Sequence, residues 1–338
     1  MTKIAIYVGS RANYSSAKPM MYEINRRPNL TLQVVVGAAA IISRYGLVSD
    51  LIKQEGFEVT ASAQTLIEGE SPLTMSQSVG LGMIQLSNVL DNLRPDVVLA
   101  IGDRFDVLSW VISAAMMNIP VAHTMGGERS GTIDESIRHA ITKFSNIHFP
   151  ASYDAYERLI KMGEEENSVH LTGCPRIDYV KQTLTEMQCN TNKHSGYDLF
   201  KDFGGVGKPF NTRSENFLLV SFHPVTTEYG LNGQAVEELL AALNELQHRV
   251  IMLWPNADAG SGEVAKRIRV FREKHRPEWL SLFVNFPIDI YNDLMERCLC
   301  LIGNSSSAIR EAEYIGTPVV NIGSRQNLRQ IGANVINV

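Results

Sequence analysis

The sequence has few cysteines, no long apolar run and no excess of positive charge, and each absence excludes a class of protein. Its four cysteines include no C-x-x-C pair, so we expect neither a structural disulfide nor a zinc site, and a reducing cytoplasm fits this usage. No apolar run approaches the roughly 18 residues of a membrane span. The segment Met1–Lys3 leads directly into a short strand, which predicts no signal peptide. A net charge of -5 argues against nucleic acid as the main partner.

Short apolar runs alternate with helical patterns along the chain. Runs such as 97–101 are apolar throughout, which is typical of strands buried on both faces, and their alternation with helices predicts an α/β protein with parallel sheets. A length of 338 residues favours two domains, which we place at 1–178 and 179–338, with 187–215 as a mobile linker or surface loop. The predicted strands lie near 3–9, 31–37, 96–101, 119–124, 146–150, 168–172, 216–222, 249–254, 281–285, 298–302, 318–322 and 334–338.

One strand-turn-helix stretch near each end of the chain has the pattern of a phosphate site. In both, an apolar run stops at a glycine, Gly9 or Gly303, and small polar residues open a helix. The unpaired N–H groups and positive dipole end of a helix start suit an anion, so two such sites predict two domains that close on one phosphorylated ligand. No G-x-G-x-x-G motif is present, and a surface arginine with an ordinary helix cap remains the alternative for the first site. The residues singled out in these turns are Arg11, Ala12, Ser15, Ser305 and Ser306.

Charged residues also follow the strand near 96–101. Asp103 and Arg104 come directly after it, at the edge where parallel strands present ligands. Asp103 is therefore a candidate base, with a helix cap as the alternative.

The stretch 123–139 combines a strand end, a glycine-rich loop and a helix start. Its Glu128, Asp134, Arg138 and His139 supply the carboxylates and cations that proton abstraction and return require. For Asp134 and Arg138, a surface ion pair at i,i+4 spacing is the alternative. The neighbouring Thr132 and Glu135 have capping-box spacing.

The second half places further polar residues after its strands. His223 follows one strand and Asn256 with Asp258 follows the next, although His223 alone is also compatible with a structural histidine. Glu311 lies two turns into the helix that Ser305 and Ser306 open, within reach of a ribose diol. Arg325 follows the next strand.

Taken together, these stretches resemble the hydrolysing UDP-N-acetylglucosamine 2-epimerases of sialic- and nonulosonic-acid pathways. The resemblance runs in order along nearly the whole chain. The matching stretches are 11–15, 102–106, 130–140, 173–175, 223–227, 255–260, 303–306 and 316–321.

This resemblance implies two Rossmann-like domains in the glycosyltransferase-B arrangement, with parallel sheets facing a central cleft that holds the substrate. It also implies a reaction in which a base removes the C2 proton of the sugar while the nucleoside diphosphate leaves C1. Hydration of the resulting glycal releases UDP and a free 2-epimeric sugar of the N-acetylmannosamine type. By position, Asp103 and Asp134 are the acid/base carboxylates. No metal or cofactor is implied, since arginines and helix N-termini carry the diphosphate charge. The implied nucleotide ligands are Arg11, Ser15, Arg104, His223, Asn256, Ser305, Ser306, Glu311 and Arg325.

The sequence departs from the family pattern in three places. The family usually has a glutamate where this chain has Met125, and Glu128 is the possible substitute. The histidine often found after the second strand is replaced within Ala38–Ala40, and the family continues beyond Val338 into a helical segment.

Two other functions remain open on the sequence alone. One is a glycosyltransferase of the same fold that uses a nucleotide sugar, and the other is a non-catalytic nucleotide-sugar-binding protein, which Met125 favours. The sequence leaves open UDP versus GDP and the sugar substituents at C4 and C6. The apolar patterns around Leu81–Ile84 and Val107–Trp110 indicate a possible homodimer.

Overall fold

The computed structural model describes residues 1–189 and 197–338. The chain divides into two compact units, Met1–Asp178 and Tyr179–Val338. Each unit contains a six-stranded sheet whose paired neighbours are all parallel. The strands are β1 (Thr2–Val8), β2 (Leu30–Gly37), β3 (Val59–Ala63), β4 (Val97–Ile101), β5 (Val121–Thr124), β6 (Ile147–Phe149), β7 (Phe217–Ser221), β8 (Arg249–Leu253), β9 (Leu280–Phe283), β10 (Cys300–Gly303), β11 (Val319–Asn321) and β12 (Val335–Asn337).

Helices connect the strands of each sheet. Because parallel neighbours need a crossover, most connections contain at least one helix. The helices are α1 (Arg11–Asn25), α2 (Val48–Gln54), α3 (Pro72–Leu93), α4 (Phe105–Met116), α5 (Ile133–Phe144), α6 (Tyr153–Lys161), α7 (Pro175–Cys189), α8 (Leu199–Phe203), α9 (Asn232–Leu246), α10 (Ser261–His275), α11 (Ile288–Arg297), α12 (Ser306–Ile309) and α13 (Glu311–Ile315). The predicted α/β class with two Rossmann-like domains is confirmed.

Both sheets are buried on two faces. Alternate residues of β1 point to opposite faces, so Tyr7 packs in a cluster with Trp110 of α4, while Val8 packs in another with Tyr14 of α1. The second sheet repeats this arrangement, with clusters on both of its faces. This two-sided burial explains why most strands are visible in the sequence as continuous apolar runs.

The strand order locates the functional edge of each sheet. The first sheet has the order β3-β2-β1-β4-β5-β6, and the second has the order β12-β11-β10-β7-β8-β9. Each order reverses once, between β1 and β4 in the first and between β7 and β10 in the second. Ligands of such sheets bind at the carboxyl ends of the strands that flank this switch point.

In the first unit, one strand was not predicted and one predicted strand is wrong. β3 was not predicted, because its Val59–Ala63 sequence alternates small and polar residues as an edge strand with one partly exposed face does. The predicted strand near 168–172 forms one isolated parallel bridge, between His148 and Val169. Leu171 in that segment is exposed, so its apolar residues do not make a buried run.

The predicted linker 187–215 contains ordered structure. Residues 190–196 lie outside the described residues. Beyond them, helix α8 begins after Asp198, whose side chain accepts the N–H groups of Phe200 and Lys201 at 3.0 and 3.1 Å. Aromatic rings of this segment, including Phe200 and Phe210, pack against the core of the second unit. Residues 199–203 of the predicted linker therefore form a helix, whereas residues 204–215 contain turns and one isolated bridge at Val206.

One of the two apolar patterns proposed for a homodimer has a different role. Val107 and Trp110 are 1% and 0% exposed, because they fill the core between the first sheet and α3. Ile84 on α3 is 64% exposed. The interpretation of Val107–Trp110 as an interface is therefore wrong. Within the described residues, no helix has the length and apolarity needed to cross a membrane.

Candidate active site

In the first unit, the turn after β1 is tied to the end of β4. Ser10 caps α1 by accepting the Asn13 N–H at 3.2 Å. The buried Asn13 amide accepts the Gly9 N–H at 3.3 Å and donates to the Ile101 carbonyl at 2.6 Å. The first predicted phosphate turn therefore has a fixed position beside the residue that precedes Gly102 and Asp103.

The first turn of α1 is also held by an arginine that sequence reasoning missed. Arg176 donates from Nη2 to the Ala12 carbonyl at 2.7 Å and from Nε to Ser16 Oγ at 2.8 Å. The Ser15 hydroxyl donates to the same Ala12 carbonyl at 2.8 Å. Arg176 directly follows the 173–175 motif, which is the signal that would have identified it. It holds the helix start that carries Arg11 at its first position.

Arg138 is the centre of the predicted catalytic cluster. It is 1% exposed, forms an ion pair with the Asp103 carboxylate, and donates from Nη1 to the Glu128 carbonyl at 2.6 Å. Its Nη2 also lies 3.4 Å from Ser130 Oγ. The alternative of a surface ion pair for Arg138 is therefore wrong. One buried guanidinium joins the loops after β4 and β5 and orients Asp103.

Asp134 lies in the first turn of α5, beside its cap. The Thr132 hydroxyl accepts the Asp134 N–H at 3.3 Å and donates to Asp134 Oδ2 at 3.0 Å. The predicted capping box differs in detail, because Glu135 accepts the Ser130 N–H at 2.5 Å instead of the N–H of the cap residue. Glu135 is thus structural, and the Asp134 carboxylate has its orientation set by Thr132.

His123 at the end of β5 supports the Asp103 loop. Its ring is fully buried, and Nε2 donates to the Gly102 carbonyl at 3.2 Å while Nδ1 accepts the Thr142 hydroxyl at 3.4 Å. A carbonyl can only accept, so these contacts assign the proton to Nε2. Burial lowers the pKa of His123 from 6.5 to about 3, so the ring is neutral in the folded protein.

The depressed pKa of His123 predicts that stability falls in acid. In the unfolded chain the His123 ring has a pKa near 6.5, whereas in the folded protein its pKa is about 3. Between these two pH values the unfolded state binds a proton that the folded state does not bind, so acid favours unfolding. Between pH 6.5 and 5.0 this removes on the order of 2 kcal/mol from the free energy of unfolding. Urea unfolding at pH 7.5 and 5.0 should show this loss in the wild type and a smaller loss in His123→Gln. Equal losses in the two proteins would contradict it.

His139, on the same helix as Arg138, is half-buried. Burial lowers its pKa, and the nearby Arg138 charge lowers it further. Its Nδ1 is buried and has no hydrogen-bond partner within the described residues. His139 is therefore a neutral imidazole near the Arg138 charge.

Two positions where the sequence departs from the family pattern lie in one apolar cluster. Met125 is 5% exposed, has a left-handed backbone (φ 60°) and packs in the same cluster as Ala40 and Ile101. Arg104, the residue after Asp103, donates from Nε to Asp106 at 3.1 Å. Met125 is thus a core residue in this structure.

In the second unit, His223 is held at the end of β7. Its Nδ1 accepts the Asn256 N–H at 3.3 Å, and its Nε2 lies 3.3 Å from Ser221 Oγ. The side chain is 7% exposed. Because Nδ1 accepts, Nε2 carries the proton. The residue is therefore well satisfied by protein contacts, and its fixed ring borders the switch point of the second sheet.

The second predicted phosphate turn follows β10. Ser305 caps the short helix α12, where its Oγ accepts the Ser307 N–H at 3.4 Å. Arg325 donates from Nη1 to the Asn304 carbonyl at 3.2 Å, which brings it to the same turn. Asp258 and Glu311 are each 7% exposed within this unit, and Ser306 is partly exposed. Asn304 was not predicted as a site residue, although it lies inside the 303–306 motif.

Comparison with known proteins identifies the family. A family model described as UDP-N-acetylglucosamine 2-epimerase matches residues 22–338. The chain is 32% identical over 345 residues to the UDP-N,N'-diacetylbacillosamine 2-epimerase (hydrolyzing) of Legionella pneumophila, covering 99% of this chain and 85% of that protein. It is 30% identical over 338 residues to the UDP-N-acetylglucosamine 2-epimerase of Neisseria meningitidis, covering 100% of this chain and 84% of that protein.

A solved structure shows the same fold. The UDP-GlcNAc 2-epimerase from Neisseria meningitidis bound to UDP-GlcNAc matches with a TM-score of 0.78 at 17% identity, covering 96% of this chain and 84% of that chain. At that identity the likeness concerns the fold alone. The sequence matches, which run along nearly the whole chain, go further: this protein belongs to the UDP-N-acetylglucosamine 2-epimerase family.

Proposed function

We propose that the protein is a hydrolysing 2-epimerase of a UDP-N-acetylglucosamine-like nucleotide sugar, releasing UDP and a free 2-epimeric N-acetylhexosamine. The observation that carries this proposal is the buried Arg138, which lies on α5 one turn after Asp134 and joins Asp103 to the Glu128 loop. Relatives from Legionella pneumophila and Campylobacter jejuni, 32% and 30% identical, are named as hydrolyzing 2-epimerases.

The proposed chemistry needs two proton transfers at one carbon. A carboxylate removes the C2 proton as the C1–O bond breaks, and the electron pair of the C–H bond forms the C1–C2 double bond of the glycal. A second group returns a proton to the opposite face of C2 while water adds to C1. Asp103 and Asp134 take these roles, one as the carboxylate that accepts the C2 proton and the other, protonated, as the acid that returns one. Arg138 orients Asp103, and the Thr132 hydroxyl orients Asp134.

The leaving group is a diphosphate, which the second unit is suited to bind. Ser305 and Ser306 open a helix after β10, Arg325 contributes a guanidinium, and His223 has a fixed ring at the adjoining strand end. Such donors stabilise charge that develops on the leaving phosphate oxygens. Glu311 is proposed for the ribose and Asn256 for the nucleoside.

Incubation with UDP-N-acetylglucosamine in deuterated water, followed by NMR, tests the proposal. A hydrolysing epimerase releases UDP and a free 2-epimeric sugar with deuterium at C2, because the returned proton comes from solvent. A non-hydrolysing epimerase produces the epimeric nucleotide sugar instead. A glycosyltransferase releases UDP in an acceptor-dependent manner, and a binding protein gives no product. The GDP-linked sugar, tested in parallel, decides between the two nucleotides.

Ser306→Ala and Arg11→Ala should each weaken UDP binding. Removal of a charge-assisted hydrogen bond costs about 1.5–3 kcal/mol, which is roughly a 10- to 150-fold rise in Kd. Isothermal titration calorimetry measures it, with the exposed Arg27→Ala just beyond the far end of α1 and the partly exposed Ser87→Ala of α3 as matched controls. If both site variants bind UDP as the controls do, neither turn contacts the diphosphate.

A further inference from the structure

Asn304 is a fully buried amide at the point where the second sheet reverses its strand order. It is 0% exposed and follows β10, next to the end of β7. Its backbone N–H donates to the Ser221 carbonyl at 3.1 Å. The preceding Gly303 has a φ of 136°, and a Cβ at that position would collide with the Ser221 carbonyl. The two strand ends are therefore packed backbone against backbone.

The Asn304 side chain pairs with both backbone groups of His223. Its Oδ1 accepts the His223 N–H at 2.7 Å, and its Nδ2 donates to the His223 carbonyl at 2.8 Å. This arrangement requires one acceptor and one donor on the same planar group, which an amide supplies. Two bonds from one buried side chain fix the position of the His223 backbone.

The Asn304 carbonyl reaches a third segment of the unit. It accepts a hydrogen bond from Arg325 Nη1 at 3.2 Å and another from Gln326 Nε2 at 2.7 Å. Ser305, the cap of α12, is the next residue in the chain. Asn304 is thus bonded to His223 and Arg325 and adjacent to Ser305, three residues that the sequence singles out for the nucleotide.

We propose that Asn304 is the positioning residue of a nucleoside-diphosphate site in the second unit. This inference rests on the proposed function, since it assumes that His223, Ser305 and Arg325 bind the diphosphate. Asn304 itself does not contact the ligand in this proposal. It sets the mutual distances of the three ligating groups, and a buried network of this kind has one satisfied arrangement.

Asn304→Asp separates positioning from mere packing, because the two side chains have the same shape. An ionised aspartate retains the acceptor for the His223 N–H but turns an oxygen toward the His223 carbonyl. A protonated aspartate restores the donor. Burial and the facing carbonyl favour the protonated form as the pH falls. We expect UDP to bind about 10- to 100-fold more weakly than to wild type at pH 8, with most of the loss recovered at pH 5.

Calorimetric Kd values for UDP are measured across this pH range and divided by the wild-type value at each pH. This ratio cancels the protonation of UDP, which is the same ligand for both proteins. Asn321→Asp is the matched control, because Asn321 is 2% exposed in the neighbouring β11 and its side chain donates to Asn337 at 2.9 Å. Its ratio should stay near one at every pH.

Three outcomes decide the matter. Wild-type UDP binding at pH 8 with an Asn304→Asp ratio near one overturns the inference, as does a loss that does not change with pH. Absence of UDP binding by the wild type overturns the proposed function itself. If Asn304→Asp does not fold, Gln326→Glu is the second test. An ionised glutamate cannot donate the hydrogen bond that Gln326 Nε2 gives to the Asn304 carbonyl, and a protonated glutamate can. Its ratio should be about 3- to 10-fold at pH 8 and recover in acid, and a flat ratio near one would contradict the inference.

Discussion

Asp134→Asn should lower kcat for sugar release by at least about 1,000-fold while changing the Kd for UDP less than about twofold. An amide has the shape of the carboxylate but cannot accept the C2 proton. UDP lacks the reacting carbon, so its affinity does not depend on the base. The variant retains an oxygen for the Thr132 hydroxyl, which donates to Asp134 Oδ2 at 3.0 Å. A local collapse of the α5 cap is therefore not expected.

The measurement pairs single-turnover release of UDP with calorimetric UDP binding. Glu135→Gln serves as the matched control, because Glu135 is the adjacent carboxylate and accepts the Ser130 N–H. A glutamine oxygen retains that acceptor, so the control should remain within about tenfold of wild type. Substantial turnover by Asp134→Asn would remove the residue from the mechanism.

Asp103→Asn should be equally inactive, with an added effect on stability. Arg138 is 1% exposed, and Asp103 is the carboxylate paired with it. Loss of one partner of a buried pair costs up to about 3–5 kcal/mol, although the partial exposure of Asp103 reduces this figure. The melting temperature of Asp103→Asn should therefore lie below that of Asp134→Asn. If the two variants melt alike, the Asp103–Arg138 pair is not a determinant of stability.

The fold was predictable because strands that are buried on both faces have continuous apolar sequences. Continuous apolar runs such as 97–101 identify the inner strands, whereas the edge strand β3, with its polar face, leaves no such run. Residues after the strands could also be located, since parallel strands place their carboxyl ends at one edge. On that basis Asp103, Glu128 and Arg138 were predicted to lie close together, and Arg138 does contact both the Asp103 carboxylate and the Glu128 carbonyl.

The supporting polar residues could not be predicted in this way. Asn304 bonds to His223, 81 positions away, and Arg176 bonds to Ser16, 160 positions away. A buried amide or guanidinium has no local periodicity that distinguishes it from a surface one. Its role depends on partners that only the tertiary structure brings into contact. The same holds for His123, whose partner Gly102 comes from the neighbouring strand.

The second large expected effect is a loss of kcat in Glu128→Gln, and it follows from the replacement of the family's usual glutamate by Met125. A thioether neither accepts nor donates a proton at neutral pH, so Asp103 and Asp134 lack the further carboxylate that the family usually has here. Glu128, on the same loop, is the proposed substitute. The Glu128 backbone carbonyl is fixed by Arg138 at 2.6 Å, which holds this loop beside Asp103. Glu128→Gln leaves that backbone contact in place and removes the titratable group. We expect a loss of roughly 100- to 10,000-fold in kcat, the usual range for general acid–base assistance.

Met125→Glu is the complementary variant. Met125 is 5% exposed in an apolar cluster, so a carboxylate at this position should lower the melting temperature. It should nevertheless keep or raise turnover of UDP-N-acetylglucosamine, and it should restore part of the activity of Glu128→Gln. Met125→Gln is the control, because it has the polarity and shape without the proton and should not restore activity.

These variants also separate the enzyme from a binding protein. If the wild type releases no UDP from any nucleotide hexosamine while Met125→Glu does, the result favours the alternative of a non-catalytic nucleotide-sugar-binding protein. If Glu128→Gln retains full activity, Glu128 does not substitute for the missing carboxylate. His139, a neutral imidazole beside Arg138, would then be the next group to replace, since its lowered pKa keeps a free nitrogen available to take a proton near pH 7.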